Sequence, residues 1–222
     1  MLIKRTLLFF ILLVSGFISR AQNLPVVNLV VSNHRASIRS LDLPLKNAAD
    51  LSIDLKGNLI INAPDQVNIT YYDQFDGEAK QGKMKTINGT LINYYDKFDG
   101  FDNIGKLKSV GTIQIGYYDR FDNKIQLGKL KTIGNTNITY YDQFDGLDNA
   151  GKIKSIGKIN VVYYDRFDAD LNGKIKSVGN TQLMYYDRFS DAAYVGKVKS
   201  VNGDTPDVHI YNVASSGFQE DK

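Results

Sequence analysis

The chain has 222 residues, with 27 Lys and Arg against 24 Asp and Glu, and no cysteine. The lack of cysteine excludes disulfides, thiol catalysis and a lipid-modified cysteine. The nearly balanced charge argues against a nucleic acid or an anionic lipid as partner, because both need a concentrated basic surface.

Residues 1–21 are predicted to be a secretory signal peptide. Lys4 and Arg5 precede an apolar run over residues 7–17, and Ser19 and Ala21 supply the small residues of a cleavage site. A run this short does not cross the roughly 30 Å of membrane hydrocarbon, which takes about 20 residues. We therefore expect an exported protein of the periplasm, the outer surface or the medium, with no transmembrane span in the mature chain.

Residues 22–66 are predicted to form an N-terminal β cap. A strand is expected from Val26 to Val31, and a hairpin from Ala49 to Asn62 that turns at Gly57 and Asn58. The segment lies outside the repeats that follow, and the end of a repeat array has to present a blocked or polar edge. We expect residues 204–222 to supply a cap strand and a tail at the other end.

Residues 67–203 contain six copies of one motif, of which residues 138–157, ITYYDQFDGLDNAGKIKSIG, are an example. The tyrosine pairs that mark the copies start 23 residues apart four times and then 22 residues apart. They start at Tyr71, Tyr94, Tyr117, Tyr140, Tyr163 and Tyr185. A fixed period of this length is typical of one supersecondary unit that is stacked repeatedly to bury its apolar face.

Each copy is predicted to contain two strands, as in Ile92 to Phe98 and Lys106 to Val110. Two residues that include a glycine, such as Asn88 and Gly89, separate the second strand from the next copy, and such pairs suit two-residue hairpin turns. The sequence thus predicts an all-β fold of tandem 23-residue hairpins in a long antiparallel meander of about twelve strands.

The alternative architecture is a β-solenoid with one copy in each rung. Parallel stacking would place every repeated lysine and aspartate about 4.8 Å from its own copy, and like charges at that distance repel. The meander separates the copies by two strand spacings, so it is favoured.

The hairpin register also predicts which side chains share a face. In the second copy, Ile92, Tyr94 and Phe98 are expected on one face together with lysines, and Tyr95 and Leu107 on the other. Neither face is purely polar. We therefore expect a twisted sheet whose faces are covered by their own side chains, rather than a two-sheet sandwich.

The second tyrosine of each pair is the candidate ligand-binding residue, because it is predicted on the less apolar face. A row of identical rings would suit a repetitive ligand such as a glycan, although cross-strand packing explains tyrosines in a sheet equally well. The residues are Tyr72, Tyr95, Tyr118, Tyr141, Tyr164 and Tyr186.

Other chemistry has weak support in the sequence. Asp168 and Asp170 begin a calcium-like loop, but Gly179 stands where such a loop needs a bidentate glutamate, so no metal site is predicted. His34 and His209 lie in the two predicted caps, and six near-identical acidic loops give no unique catalytic pair. We expect neither an enzyme nor a cofactor.

Two families share features with the repeats. The 23-residue hairpin period resembles that of MORN repeats, and the tyrosine–aspartate pairs resemble the YD repeats of secreted Rhs-type proteins. The MORN glycine pattern and the Gly-Arg step of YD repeats are missing here, so no residue roles are transferred.

The sequence thus favours an exported, non-catalytic β-repeat protein that acts as a surface, adhesive or scaffolding element. The alternative is a binding module that holds a repetitive ligand through the second tyrosines. A glycan or a cell-surface protein is the expected kind of partner, and the open ends of the sheet predict end-to-end self-association.

Overall fold

The computed structural model describes residues 25–45, 51–62 and 66–212. The predicted signal peptide and the residues after 212 lie outside these ranges. Within them the chain is almost entirely β, and no helix is long and apolar enough to cross a membrane.

The N-terminal segment contributes four strands. They are β1 Val26–Val31, β2 Ala36–Asp42, β3 Leu51–Asp54 and β4 Leu59–Ile61. The first strand has the predicted bounds, and β3 and β4 form the predicted hairpin around Gly57 and Asn58.

The repeats form twelve strands, two for each copy, as predicted. They are β5 Ile69–Tyr71, β6 Met84–Ile87, β7 Thr90–Tyr94, β8 Leu107–Val110, β9 Ile113–Tyr117, β10 Leu130–Ile133, β11 Thr136–Tyr140, β12 Ile153–Ile156, β13 Ile159–Tyr163, β14 Ile175–Val178, β15 Thr181–Tyr185 and β16 Val198–Asn202. Three 3-10 helices lie in the loops of the fourth and fifth copies. They are Gln143–Asp145, Leu147–Asn149 and Arg166–Leu171.

The twelve strands pair in chain order in a single antiparallel sheet. This is the predicted meander, and the parallel rung stacking of the solenoid alternative does not occur in it. At the first turn, Asn88 (φ 45°) and Gly89 (φ 78°) both have positive φ, whereas Gly111 leads the next turn with a φ of 57°. A turn with two residues of positive φ and a turn with one such residue in the first position both match the twist of paired strands. The turn residues therefore fix the register.

A β-bulge interrupts every pairing between the first and second strand of a copy. Between β7 and β8, Asn93 pairs with Ser109 but Tyr94 pairs with Leu107, which leaves Lys108 as the extra residue. The bulge moves the leucine to the same face as Tyr94. The prediction that Leu107 shares a face with Tyr95 was therefore wrong.

The first strand of each copy also ends earlier than predicted. β7 stops at Tyr94, and the side chain of Asp96 accepts a hydrogen bond from the backbone N–H of Phe98. This local turn competes with the sheet and directs Phe98 into solvent, where 87% of it is exposed. The prediction that Phe98 lies on the Tyr94 face was wrong.

A second sheet covers the face that carries the first tyrosines. Its five strands run in the order β17 (Val208–Asn212), β1, β2, β3, β4. Leu29, Leu41 and Ile53 from this sheet are fully buried in one apolar core with Ile115 and Ile138 from the repeats. The repeat sheet is therefore not covered by its own side chains alone, and the N-terminal segment packs over a face instead of blocking an end.

The chain returns to the second sheet after the last copy. Asn202 and Gly203 stand where the earlier copies have a two-residue turn, but β16 is followed by β17, which pairs in parallel with β1. Thr205 anchors this crossing, because its hydroxyl accepts from the backbone N–H of Thr181 and donates to the carbonyl of Val178.

The contact between the two sheets can be tested at Gly57, which has a φ of 90° and where an added Cβ would lie 2.5 Å from the Tyr117 hydroxyl oxygen. Tyr117 is buried, so its ring can shift only by displacing the atoms packed around it. We expect Gly57→Ala to lower the free energy of unfolding by about 2 to 3 kcal/mol in urea titrations. The control is Gly77→Ala, since Gly77 has a φ of 93° with nothing within 4 Å, and should cost only about 1 kcal/mol. Equal losses would mean that the sheets are not in contact at this point.

Candidate ligand-binding surface

The second tyrosines form bridges between neighbouring copies. The Tyr118 hydroxyl donates to the carbonyl of Ile138 at 2.9 Å, and the ring of Tyr118 packs edge-on against Tyr140 with centroids 5.9 Å apart. The same pair of contacts recurs in four other copies. The hydroxyl bonds are Tyr72 to Ile92, Tyr95 to Ile115, Tyr141 to Val161 and Tyr164 to Leu183.

Two lysines of each of the first five hairpins add to these contacts between copies. The bulged lysine lies over the second tyrosine of its own copy, as Lys131 does over Tyr118 with Nζ 5.0 Å from the ring centroid. The other lysine reaches the next copy, as Lys129 does by packing over Tyr140 and donating to the carbonyl of Gly151 at 2.6 Å. Burial lowers the pKa of Lys129. Its aliphatic stem and its ammonium group both contact the next copy, so this side chain links two copies.

The aspartates of the loops are also engaged within the protein. In the third copy, the Asp119 side chain accepts from the backbone N–H of Phe121, and Asp122 accepts from the N–H of Asp119. Asp122 also pairs with Lys131 at 2.9 Å. The backbone hydrogen bond, followed by that from Lys131, lowers the pKa of Asp122. These carboxylates stabilise the loop that they belong to.

The structure thus places all six predicted ligand residues in one row at the ends of the strands. Tyr72 is buried, and Tyr95, Tyr118, Tyr141, Tyr164 and Tyr186 are half-buried. Tyr186, in the last copy, packs against Tyr194 instead of a following tyrosine pair. The rings of this row pack against other tyrosines, and five of the hydroxyl groups donate hydrogen bonds to backbone carbonyls. Ligand binding by the row stays a prediction.

The phenylalanines of the motif were not predicted as candidate ligand-binding residues. One ring projects from the tip of every loop, and 84 to 90% of each is exposed. They are Phe75, Phe98, Phe121, Phe144, Phe167 and Phe189. We call these six residues the phenylalanine row. The signal was present in the sequence, since an aspartate stands two residues before each ring and forms a local turn there.

Clefts separate neighbouring loop tips. One of about 460 Å³ lies between the first and second loops and is lined by Lys80, Asp96 and Phe98, among others. Another of about 310 Å³ lies between the second and third loops and is lined by Phe101, Arg120 and Phe121 among others. Each cleft combines an exposed ring with polar side chains, which is the composition of a surface that orients a ligand.

The remaining candidates lie apart from one another. His34 is exposed in the turn between β1 and β2, and His209 is exposed on β17. Asp168 and Asp170 lie in the 3-10 helix Arg166–Leu171. Within the described ranges, no three His, Cys, Asp or Glu residues are grouped closely enough to hold a metal ion.

The chain matches no family model, and the searches of curated proteins and of solved structures gave no significant match.

Proposed function

We propose that this is an exported, non-catalytic β-repeat protein that acts as a surface, adhesive or scaffolding element. The observation that carries the proposal is the phenylalanine row, in which six equivalent rings are at least 84% exposed. Large apolar side chains displayed in a repeated pattern are typical of interaction surfaces. The sheet beneath them is braced between copies by tyrosine and lysine contacts, which suits a scaffold.

The alternative is a module that binds a repetitive ligand through the second tyrosines. A ligand there would compete with the hydroxyl bond of Tyr118 and with the lysine that covers its ring. The phenylalanine rings are at least 84% exposed, so a ligand can reach them without breaking a hydrogen bond within the protein. We therefore place the contact surface at the loop tips.

The test compares producing cells that carry the full chain, cells that lack it, and cells with Phe98→Ser, Phe121→Ser and Phe144→Ser combined. We expect to find the protein in the envelope or the medium. We also expect the attachment of these cells to surfaces to fall both when the protein is absent and when it carries the three substitutions. Leu91→Thr removes an exposed apolar side chain from β7 instead and should leave attachment unchanged. Retention of the protein inside the cell, or attachment that is equal without it, would contradict the proposal.

A further inference from the structure

The loop tips have a constant chemical composition around the ring. The residue before each phenylalanine is always a long hydrogen-bond donor, and the residue after it is an acceptor. The donors are Gln74, Lys97, Arg120, Gln143, Arg166 and Arg188, and the acceptors are Asp76, Asp99, Asp122, Asp145, Asp168 and Ser190. Each tip therefore carries an apolar ring between a long donor side chain and an acceptor that, where it is an aspartate paired with a lysine, is already used by its own loop.

Most of the acidic charges at the tips are paired within the protein, because four of the six acceptors are aspartates that form an ion pair with a lysine of their own hairpin. Arg120 makes a bidentate ion pair with Asp102 of the preceding loop, and its Nε lies 2.9 Å from the nearer carboxylate oxygen. Lys97 and Arg188 lie against one face of the ring that follows them, 5.2 Å and 5.1 Å from the ring centroids. The ring face away from the cation is left open. Such a tip is suited to an uncharged ligand rather than to a polyanion.

The spacing of the tips limits the shape of the ligand. Successive phenylalanines are two strands apart, about 9.6 Å, so the six tips extend over roughly 50 Å. A twisted sheet turns by about 20 to 25° at each strand, so tips this far apart do not lie in one plane. A flat lipid surface would touch only neighbouring tips, whereas a linear polymer can follow all six.

We propose that the phenylalanine row binds an unbranched, neutral polysaccharide. The apolar faces of successive sugar units stack on the open ring faces, and their hydroxyl groups accept hydrogen bonds from the donor side chain that precedes each ring. The clefts next to Phe98 and Phe121 receive the intervening units. This inference rests on the proposed function and names the ligand class of the same surface.

The test uses affinity electrophoresis of the mature chain through gels that contain hydroxyethyl cellulose or xylan, with alginate as the acidic comparison. We expect retardation by a neutral polymer that added salt does not weaken. Combining Phe98→Ser, Phe121→Ser and Phe144→Ser should weaken binding at least about tenfold, because truncating central aromatic contacts usually has large effects. Leu91→Thr is the matched control and should bind as the wild type does.

Three results would overturn the inference. They are no retardation by either neutral polymer, equal binding by the triple variant, and salt-sensitive binding to alginate alone. Binding to phospholipid vesicles or self-association that the triple variant abolishes, without binding to a neutral polymer, would assign the row to a membrane or to a second copy. Loss of cell attachment without polysaccharide binding would leave the proposed function intact and exclude only this ligand.

Discussion

Replacing Tyr118 with alanine is expected to lower the free energy of unfolding by about 3 kcal/mol. The side chain packs edge-on against Tyr140, lies under Lys131 and donates its hydroxyl hydrogen to the next copy. Tyr118→Phe keeps the ring and removes the hydrogen bond to Ile138, so it should cost about 1 kcal/mol. Urea unfolding followed by circular dichroism measures both.

Tyr140→Phe is the matched control for the hydroxyl. The Tyr140 hydroxyl is buried, and within the described part of the chain it has no hydrogen-bond partner. Its removal should be neutral or slightly stabilising, because a buried polar group without a partner costs free energy. If both Tyr→Phe changes had the same effect, the hydroxyl bridges between copies would not contribute to stability.

A rise in pH above about 10 is expected to unfold the protein cooperatively. Burial raises the pKa of ten tyrosines, that of Tyr185 to about 12. The others are Tyr72, Tyr94, Tyr95, Tyr117, Tyr118, Tyr140, Tyr141, Tyr163 and Tyr164.

Stability falls at high pH because the folded and unfolded states bind different numbers of protons. An unfolded tyrosine loses its proton near pH 10, whereas the folded state keeps these protons to higher pH. Above pH 10 the folded state thus binds more protons than the unfolded state, and stability falls as pH rises. Tyrosinate absorbance should increase together with the loss of the circular dichroism signal. Ionisation of most tyrosines near pH 10 with an intact signal would contradict the burial of these rings.

The hairpin array was predictable from sequence because its determinants are local. Residue pairs such as Asn88 and Gly89 select the turn, and the alternating aliphatic and aromatic residues select the strands. The bulge at Lys108 was not predictable in this way. The bulge leaves Lys108 unpaired in the ladder and places Leu107 in the core. Whether it forms therefore depends on which face of the sheet is buried, and this is not a local property of the sequence.

The second sheet was missed for a related reason. Nothing in the local pattern of Val26–Val31 or Leu51–Asp54 specifies whether the strand packs on a face or at an end of the array. That choice depends on how much apolar surface each arrangement buries, which is a property of the whole chain.

The candidate surface was only partly predictable. The tyrosine row was identified with its spacing, but the hydroxyl bond from Tyr118 to the next copy depends on a register between copies that the sequence does not specify. Phe98 was predicted on an apolar face, as expected for a phenylalanine in a strand. The local turn formed by Asp96 instead directs this ring into solvent.

The most direct test of the central claim is the fluorescence of a Phe144→Trp variant. The chain has no tryptophan, so the emission reports on this loop tip alone. We expect the indole to be quenched by acrylamide as readily as a free indole, and to be protected with a blue-shifted emission when hydroxyethyl cellulose or xylan is added. An indole that is already shielded in the protein alone, or one that neither polymer protects, would contradict the claim that exposed phenylalanines form the binding surface.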